Sequence, residues 1–226
     1  MLPRARLRPT RRLPTPTSPR ELSTTKKKST GGSIVELFVI VAVALGLALG
    51  IQAFLVKPYR IPSESMVPTL SVDQRVLVNR IGNNFSDPEV GEVMVFHPPS
   101  GATNTSGPQC GVQISETEIC PKPTGTKADV NFIKRVVAGP GDRLRIRNGR
   151  VIRNGKPLDE PYIAPCGGGT SCDFPGEITI PKDHWFMMGD NRGQSDDSRF
   201  WGPVPRDWFI GGAFATYWPP NKIGLL

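Results

Sequence analysis

"RLRIRNGRVIRNGKPL", Arg143 to Leu158, decides the fold. Leu144 and Ile146 alternate with arginines, and Asn148-Gly149 separates that run from "RVIR". A period of two interrupted by Asn-Gly is a strong hairpin signal, and a second pair, Asn154-Gly155, follows at once. Working outward, short β-prone runs recur between turn residues: "RVLVNRI" at 75–81, "EVMVFHP" at 92–98, "NFIKRVVA" at 131–138, "EITIP" at 177–181, "HWFMMGD" at 184–190 and "GGAFATYW" at 211–218. After Tyr59 no helical period competes with them. The pattern predicts an all-β domain, a coiled antiparallel barrel-like sheet covering 57–226. Residues 98–129 are poor in apolar periodicity and read as a long surface excursion. There is no internal repeat.

Upstream the chain changes character. "IVELFVIVAVALGLALGIQAFLV", 34–56, is a 23-residue run with Glu36 as its one charge. At ~1.5 Å per residue it spans roughly 34 Å, enough to cross a ~30 Å hydrocarbon core with some tilt. A cleaved export signal is a poorer fit, because the run is too long and no small-x-small site follows. Residues 1–33 form a Pro/Ser/Thr-rich arm with the composition of disorder. Nine Lys/Arg against Glu21 alone fall within residues 1–30, and the rest of the chain balances 19 basic with 19 acidic residues. The basic excess before the helix predicts a single-pass protein of the cell membrane, N-terminus cytoplasmic and β domain extracytoplasmic. The arm should also meet anionic lipid. A neutral folded part speaks against nucleic acid as a partner. Gly46 and Gly50 form a Gly-x-x-x-Gly pair that offers a packing face to another helix.

The four cysteines, Cys110, Cys120, Cys166 and Cys172, all fall in the predicted extracytoplasmic domain, and none has the Cys-x-x-Cys spacing of a zinc site. They suit disulfides of an oxidising compartment. Of three possible pairings, the local one, Cys110–Cys120 and Cys166–Cys172, is favoured because both pairs lie in Gly/Pro-rich loops. The alternative is free thiols.

"IPSESMVPTL", Ile61 to Leu70, places Ser63 and Ser65 between two prolines just after the apolar run. A Ser-rich, Pro-bounded stretch is ordinarily a turn, but the same stiffness would aim a nucleophile. A serine nucleophile needs a base. His97 and His184 are the only histidines, and neither has a neighbourhood that suggests the role. Lys134 sits among Phe132, Ile133, Val136 and Val137; periodicity leaves open whether it faces water or is buried. "STTK" at 23–26 formally matches a Ser-x-x-Lys motif, but lies in the arm, where no lysine is desolvated.

Three blocks, "PSESMVPTL", "NFIKRVVAGPGD" and "GDNRGQSDDSRFWG", stand in that order behind one apolar helix. Together they resemble the signature blocks of bacterial type I signal peptidases, membrane-bound serine proteases with a Ser-Lys dyad. The resemblance implies Ser65 as nucleophile and Lys134 as general base. It implies an oxyanion hole from the Ser63 hydroxyl and the Ser65 backbone N–H, and Ser195 as the serine that orients the lysine. Asp197 and Arg199 match a supporting salt bridge, and Asp190 a structural aspartate. Tyr59, Ile61, Pro62, Met66, Leu70, Phe132 and Ile133 are expected to line shallow pockets for small substrate side chains. The implied partners are signal peptides of exported preproteins, cleaved through an acyl-enzyme, with no metal or cofactor. Gly193 and Gln194 stand where many members carry Asp and Asn, Glu64 where Gly is common, and "NKIGLL" ends without a second helix found in some. A self-cleaving repressor with Ser-Lys chemistry is a poorer match, since such proteins are soluble and carry a DNA-binding domain. A non-catalytic anchored binder leaves the three blocks unexplained.

Overall fold

A computed structural model describes residues 30–54, 56–103, 107–168 and 172–226. The expected arm, 1–33, lies almost wholly outside the described residues. A helix, α1, runs from Thr30 to Phe54, beginning four residues before the predicted start. The apolar side chains between Ile34 and Leu49 are exposed. Among the described residues no helix is long and apolar enough to cross a membrane; side chains of α1 are described only for 34–50, less than the apolar run. A Cβ placed on Gly46 or Gly50 would meet nothing within 4 Å.

Twelve strands follow among the described residues. The larger sheet holds β1 (Val56–Arg60), β2 (Arg75–Asn79), β3 (Val93–Phe96), β4 (Phe132–Ala138), β9 (His184–Met188), β10 (Val204–Pro205), β11 (Phe209–Trp218) and β12 (Gly224–Leu225). Its order is β1-β2-β11-β3-β4-β9-β10, with β12 on β11, and neighbouring strands are antiparallel. β11 breaks register at three points along its pairings with β2 and β3, and such bulges bend and twist a strand. The smaller sheet contains β5 (Arg143–Arg147), β6 (Arg150–Arg153), β7 (Lys156–Pro157) and β8 (Phe174–Thr179), in the order β7-β6-β5-β8. The coiled antiparallel β domain expected from the sequence is thus built from two sheets. Val56 already pairs with Asn79, so the end of the apolar run is strand.

The deciding stretch folds as its pattern dictates. Leu144 and Ile146 point inward, Arg143 and Arg147 outward. Asn148 and Asn154 take φ of 47° and 53°, the left-handed geometry of tight hairpin turns. β4 is the spine of the core. Ile133 packs with Val76, Val78 and Val95; Val136 with Phe96, Trp201 and Phe209; Val137 and Ala138 with Leu144, Phe186 and Met188. This last cluster joins the two sheets, and each fully buried apolar side chain in it is worth roughly 1.5–3 kcal/mol.

The described residues of 98–129 contain no strand of the two sheets, but they are docked on the core. Ala102 and Ile119 enter the core, and the Cys120 N–H donates to the Arg199 carbonyl at 3.0 Å. Cys110 bonds Cys120, and Cys166 bonds Cys172.

Candidate active site

Three pieces of chain converge at one end of β4. The first is a single 3-10 turn, Glu64–Met66, which puts Ser65 and Met66 inside and leaves Ser63 and Glu64 at the surface. Backbone bonds between Ile61 and both Asp73 and Gln74 close its loop. The second is β4, which carries Lys134 and Arg135. The third is the loop from Gly189 to Arg199.

Lys134 Nζ donates to Ser65 Oγ at 2.6 Å, and Ser63 Oγ lies 3.2 Å from the same oxygen. Lys134 and Ser65 are each only 5% exposed. Lys134 makes no ion pair among the described residues. Burial pushes its pKa from 10.5 down to about 8, against the charges of Asp197 and Asp196; the low dielectric disfavours the ammonium. A lysine so held is a hydrogen-bonded amine in reach of a hydroxyl, the pairing that nucleophilic catalysis by serine requires.

The 189–199 loop is built of buried charge pairs. Arg199 Nε meets Asp197 Oδ1 at 2.7 Å with neither side chain exposed, and Arg199 Nη2 also donates to the carbonyls of Arg192 and Ser195. Burial works to raise the Asp197 pKa, but the Arg199 charge and hydrogen bonds outweigh it and hold the carboxyl below its ordinary value. Asp190, fully buried, accepts from Arg135 Nε at 2.8 Å and Nη2 at 2.6 Å, and from the Thr69 hydroxyl. The Asn191 N–H donates to the Ser65 carbonyl at 3.0 Å. Gly189 makes this closeness possible: a Cβ there would collide with the Ser65 carbonyl and the Ser195 hydroxyl. Gly193 has a parallel reason, since a Cβ would come 2.7 Å from the Cys166 carbonyl.

Two expectations need correction. The hydrogen bond expected between Ser195 and Lys134 is not made: Ser195 Oγ is buried without a partner, while Lys134 Nζ is turned to Ser65. The expected pocket lining is mostly core. Ile61, Met66 and Leu70 are at most 1% exposed and pack with Ile133. Tyr59, Pro62 and Phe132 keep surface of their own. His97 and His184 approach the carbonyls of Val130 and Lys182 through Nδ1, and no described hydrogen bond ties either to Ser65.

Sequence reasoning missed Arg135 and Thr69 as the partners of Asp190, and Glu160, which meets Arg192 with both side chains fully buried. An arginine directly after the candidate lysine in a buried strand was the one available hint.

Ser65 Oγ, Lys134 Nζ and Ser63 Oγ thus lie together on a bent antiparallel sheet. A family model described as "Signal peptidase, peptidase S26" matches residues 34–218, and the chain belongs to that family. It is similar to signal peptidase I of Leptolyngbya laminosa, with 35% identity over 94% of each chain. It is also similar to the probable signal peptidase I-2 of Synechocystis sp., with 35% identity over 92% of this chain and 84% of that one. The probable signal peptidase I of Mycobacterium leprae is 32% identical over 90% of this chain and 81% of its own. The chain is a hydrolase of the serine peptidase type.

Proposed function

We propose that the chain is a membrane-anchored endopeptidase that removes signal peptides from exported preproteins, with Ser65 as nucleophile and Lys134 as general base. The observation that carries this is the 2.6 Å contact between a buried lysine and a buried serine hydroxyl. Lys134, as the neutral amine, takes the Ser65 proton while Oγ bonds to the scissile carbonyl carbon. The oxyanion is held by the Ser65 N–H and the Ser63 hydroxyl, which would turn from Ser65 Oγ to the substrate. Removing one such donor from other enzymes costs about 10²–10³ in rate. As the carbon–nitrogen bond breaks, the Lys134 ammonium returns its proton to the leaving amine. Water, deprotonated by the same amine, then cleaves the ester and frees Ser65. Arg135–Asp190 and Asp197–Arg199 fix the backbone on either side.

Supporting the anchored topology are the apolar run 34–56 and the basic arm before it, read as a single span with the β domain outside; Gly46 and Gly50 would give the span a face for a second helix. The test is cleavage of a preprotein by the detergent-solubilised full chain beside its Ser65→Ala variant. Cleavage by the native chain alone supports the reading, and equal cleavage by the variant overturns it.

A further inference from the structure

Two planar peptide units meet at the Cα of Ser65, and each presents its carbonyl to the same residue. The Asn191 N–H donates to the Ser65 carbonyl at 3.0 Å, and Asn191 Nδ2 donates to the Glu64 carbonyl at 3.2 Å. A peptide plane gripped by its oxygen has little freedom left, because the amide bond itself does not rotate. One residue thus holds the chain on both sides of the candidate nucleophile. The Val67 N–H also reaches the Glu64 carbonyl, at 3.0 Å, but it belongs to the same turn and moves with it. Asn191 holds the turn from outside.

The Asn191 backbone is itself held in place. It forms a bridge with Ala164; the Ala164 N–H donates to the Asp190 carbonyl at 2.9 Å, and the Gln194 N–H to the Asn191 carbonyl at 3.0 Å. On its two flanks Asp190 is paired with Arg135 and Arg192 with Glu160, all four residues buried. The side chain reaches from this fixed backbone, at a half-buried position, to the Glu64 carbonyl. A neutral hydrogen bond of that kind adds only modestly to stability. Its interest lies in what it aims. The bond from Glu64 to Ser65 is not cis, so the Glu64 C=O and the Ser65 N–H point to opposite sides of one plane. Fixing the direction of the first fixes that of the second.

We propose that Asn191 is a positioning residue for the oxyanion donor: its side-chain amide holds the Glu64–Ser65 peptide plane and so keeps the Ser65 N–H aimed where negative charge develops. This rests on the function proposed above and deepens it. A donor set in place beforehand stabilises that charge without having to turn at the moment of bond formation. The substrate calls on it fully only when its carbonyl oxygen becomes negative, so the effect falls on kcat and leaves KM. In Asn191→Ala the backbone bond to the Ser65 carbonyl stays, and the nucleophile keeps its place beside Lys134. In Asn191→Asp the side-chain shape stays too, but an acceptor replaces the donor and repels the Glu64 oxygen.

The experiment uses the full chain in detergent with a preprotein, and reads kcat and KM on the plateau above the pH limb expected at about 8. There the amine is neutral, so a new carboxylate cannot act through the Lys134 charge. Asn191→Ala should lower kcat about tenfold, less than the roughly 10²–10³ of deleting a donor outright, with KM and melting temperature unchanged. Asn191→Asp should be the slower of the two. A packing role ranks them the other way, since Asp keeps the shape of Asn. Unchanged kcat in both variants overturns the inference, and so does Asn191→Asp faster than Asn191→Ala. A raised KM with kcat intact makes Asn191 a substrate contact and overturns it as well, as does a melting temperature lowered in both. Cleavage surviving in Ser65→Ala overturns the function itself; with Ser65→Ala inactive, each of the other outcomes bears on Asn191 alone.

Discussion

Lys134 and Arg135 are adjacent on β4, both cationic in free solution and both nearly buried, at 5% and 9% exposure. The two faces of the strand treat them in opposite ways. Arg135 has a carboxylate waiting, and both Asp190 oxygens accept from its guanidinium. Its remaining Nη1 is used on the Gly91 carbonyl, and the plane stacks 3.9 Å from the Tyr162 ring. Lys134 is given a hydroxyl in place of a carboxylate. A buried cation with a full set of acceptors stays charged and fixes geometry. One offered only a neutral hydroxyl is driven toward its neutral form. The same split runs through the site, where Arg192 and Arg199 are also paired in full burial. The amine on the other face of β4 is left without a carboxylate of its own among the described residues.

Exchanging the treatment of that one cation should have the largest effect. In Lys134→Arg the guanidinium stays charged at any working pH, so the variant should fold, checked by circular dichroism, yet lose preprotein cleavage by about 10²–10⁴-fold, the contribution of a general base. Native activity should rise with pH through about 8, because the neutral amine is the active form. That limb should survive His97→Ala and His184→Ala. Cleavage retained by Lys134→Arg, or a limb lost with either histidine, would break the comparison.

On the other face the expected effect is on stability. Arg135→Met leaves Asp190 buried without its guanidinium, and Asp190→Leu leaves Arg135 without its carboxylate. Each should destabilise by about 3–5 kcal/mol, seen as a shift of the urea midpoint. The double variant should recover much of the loss, because neither orphaned charge remains. Single variants that cost less than the exposed pairs would show that Arg135 is not held as described.

How much of this contrast the sequence carries depends on its range. Alternation in Arg143–Arg147 and the Asn-Gly turns are local, so the hairpin could be read directly. Ser65 and Lys134 could be named because three motifs stand in order. What stayed hidden is register. That Asp190 meets Arg135 and Thr69, and Glu160 meets Arg192, follows from which residues lie opposite when β4, β9 and the loops come together. Short strands such as Val204–Pro205 and Gly224–Leu225 have too few residues for a period. Met66 and Leu70 looked like pocket wall because they neighbour the nucleophile in sequence. Both are wholly buried against Ile133 and the strands beneath, a long-range packing that sequence adjacency does not reveal. Ile119 and Cys120 lie buried in a segment without periodicity, since single anchors leave no pattern.

Lys134→Met sharpens the contrast by stability alone. The folded-state pKa of about 8 lies below the ordinary 10.5, so below pH 8 the fold carries the full cost of a buried ammonium. Between 8 and 10.5 the unfolded chain binds more protons, and stability rises with pH as the cost fades. Above that window it is gone. Replacing the amine by an apolar side chain should therefore stabilise the inactive protein at pH 7 by about 3 kcal/mol, with the gain shrinking as pH climbs from 8 to 10.5. A destabilised variant, or a gain that grows with pH, would mean that Lys134 is a paired structural cation like its neighbour.

The smallest effect belongs to a pair with nearly the same contacts as Arg135 and Asp190 but in water. Arg60 reaches Asp73 with Nη2 at 2.7 Å and Nε at 2.9 Å, with 68% and 64% of the two side chains exposed. Distance alone would rank it with the buried pair. Burial ranks it elsewhere: both ions keep most of their hydration when separated, so little is lost when the contact is. Arg60→Gln should change the urea midpoint by the equivalent of about 0–1 kcal/mol, and the difference should vanish in high salt, where exposed charges are screened. The Arg135 and Asp190 variants should keep their deficits in the same salt. If Arg60→Gln cost as much as Arg135→Met, donor–acceptor geometry rather than desolvation would set the worth of these pairs, and the reason for leaving Lys134 unpaired in the interior would go with it.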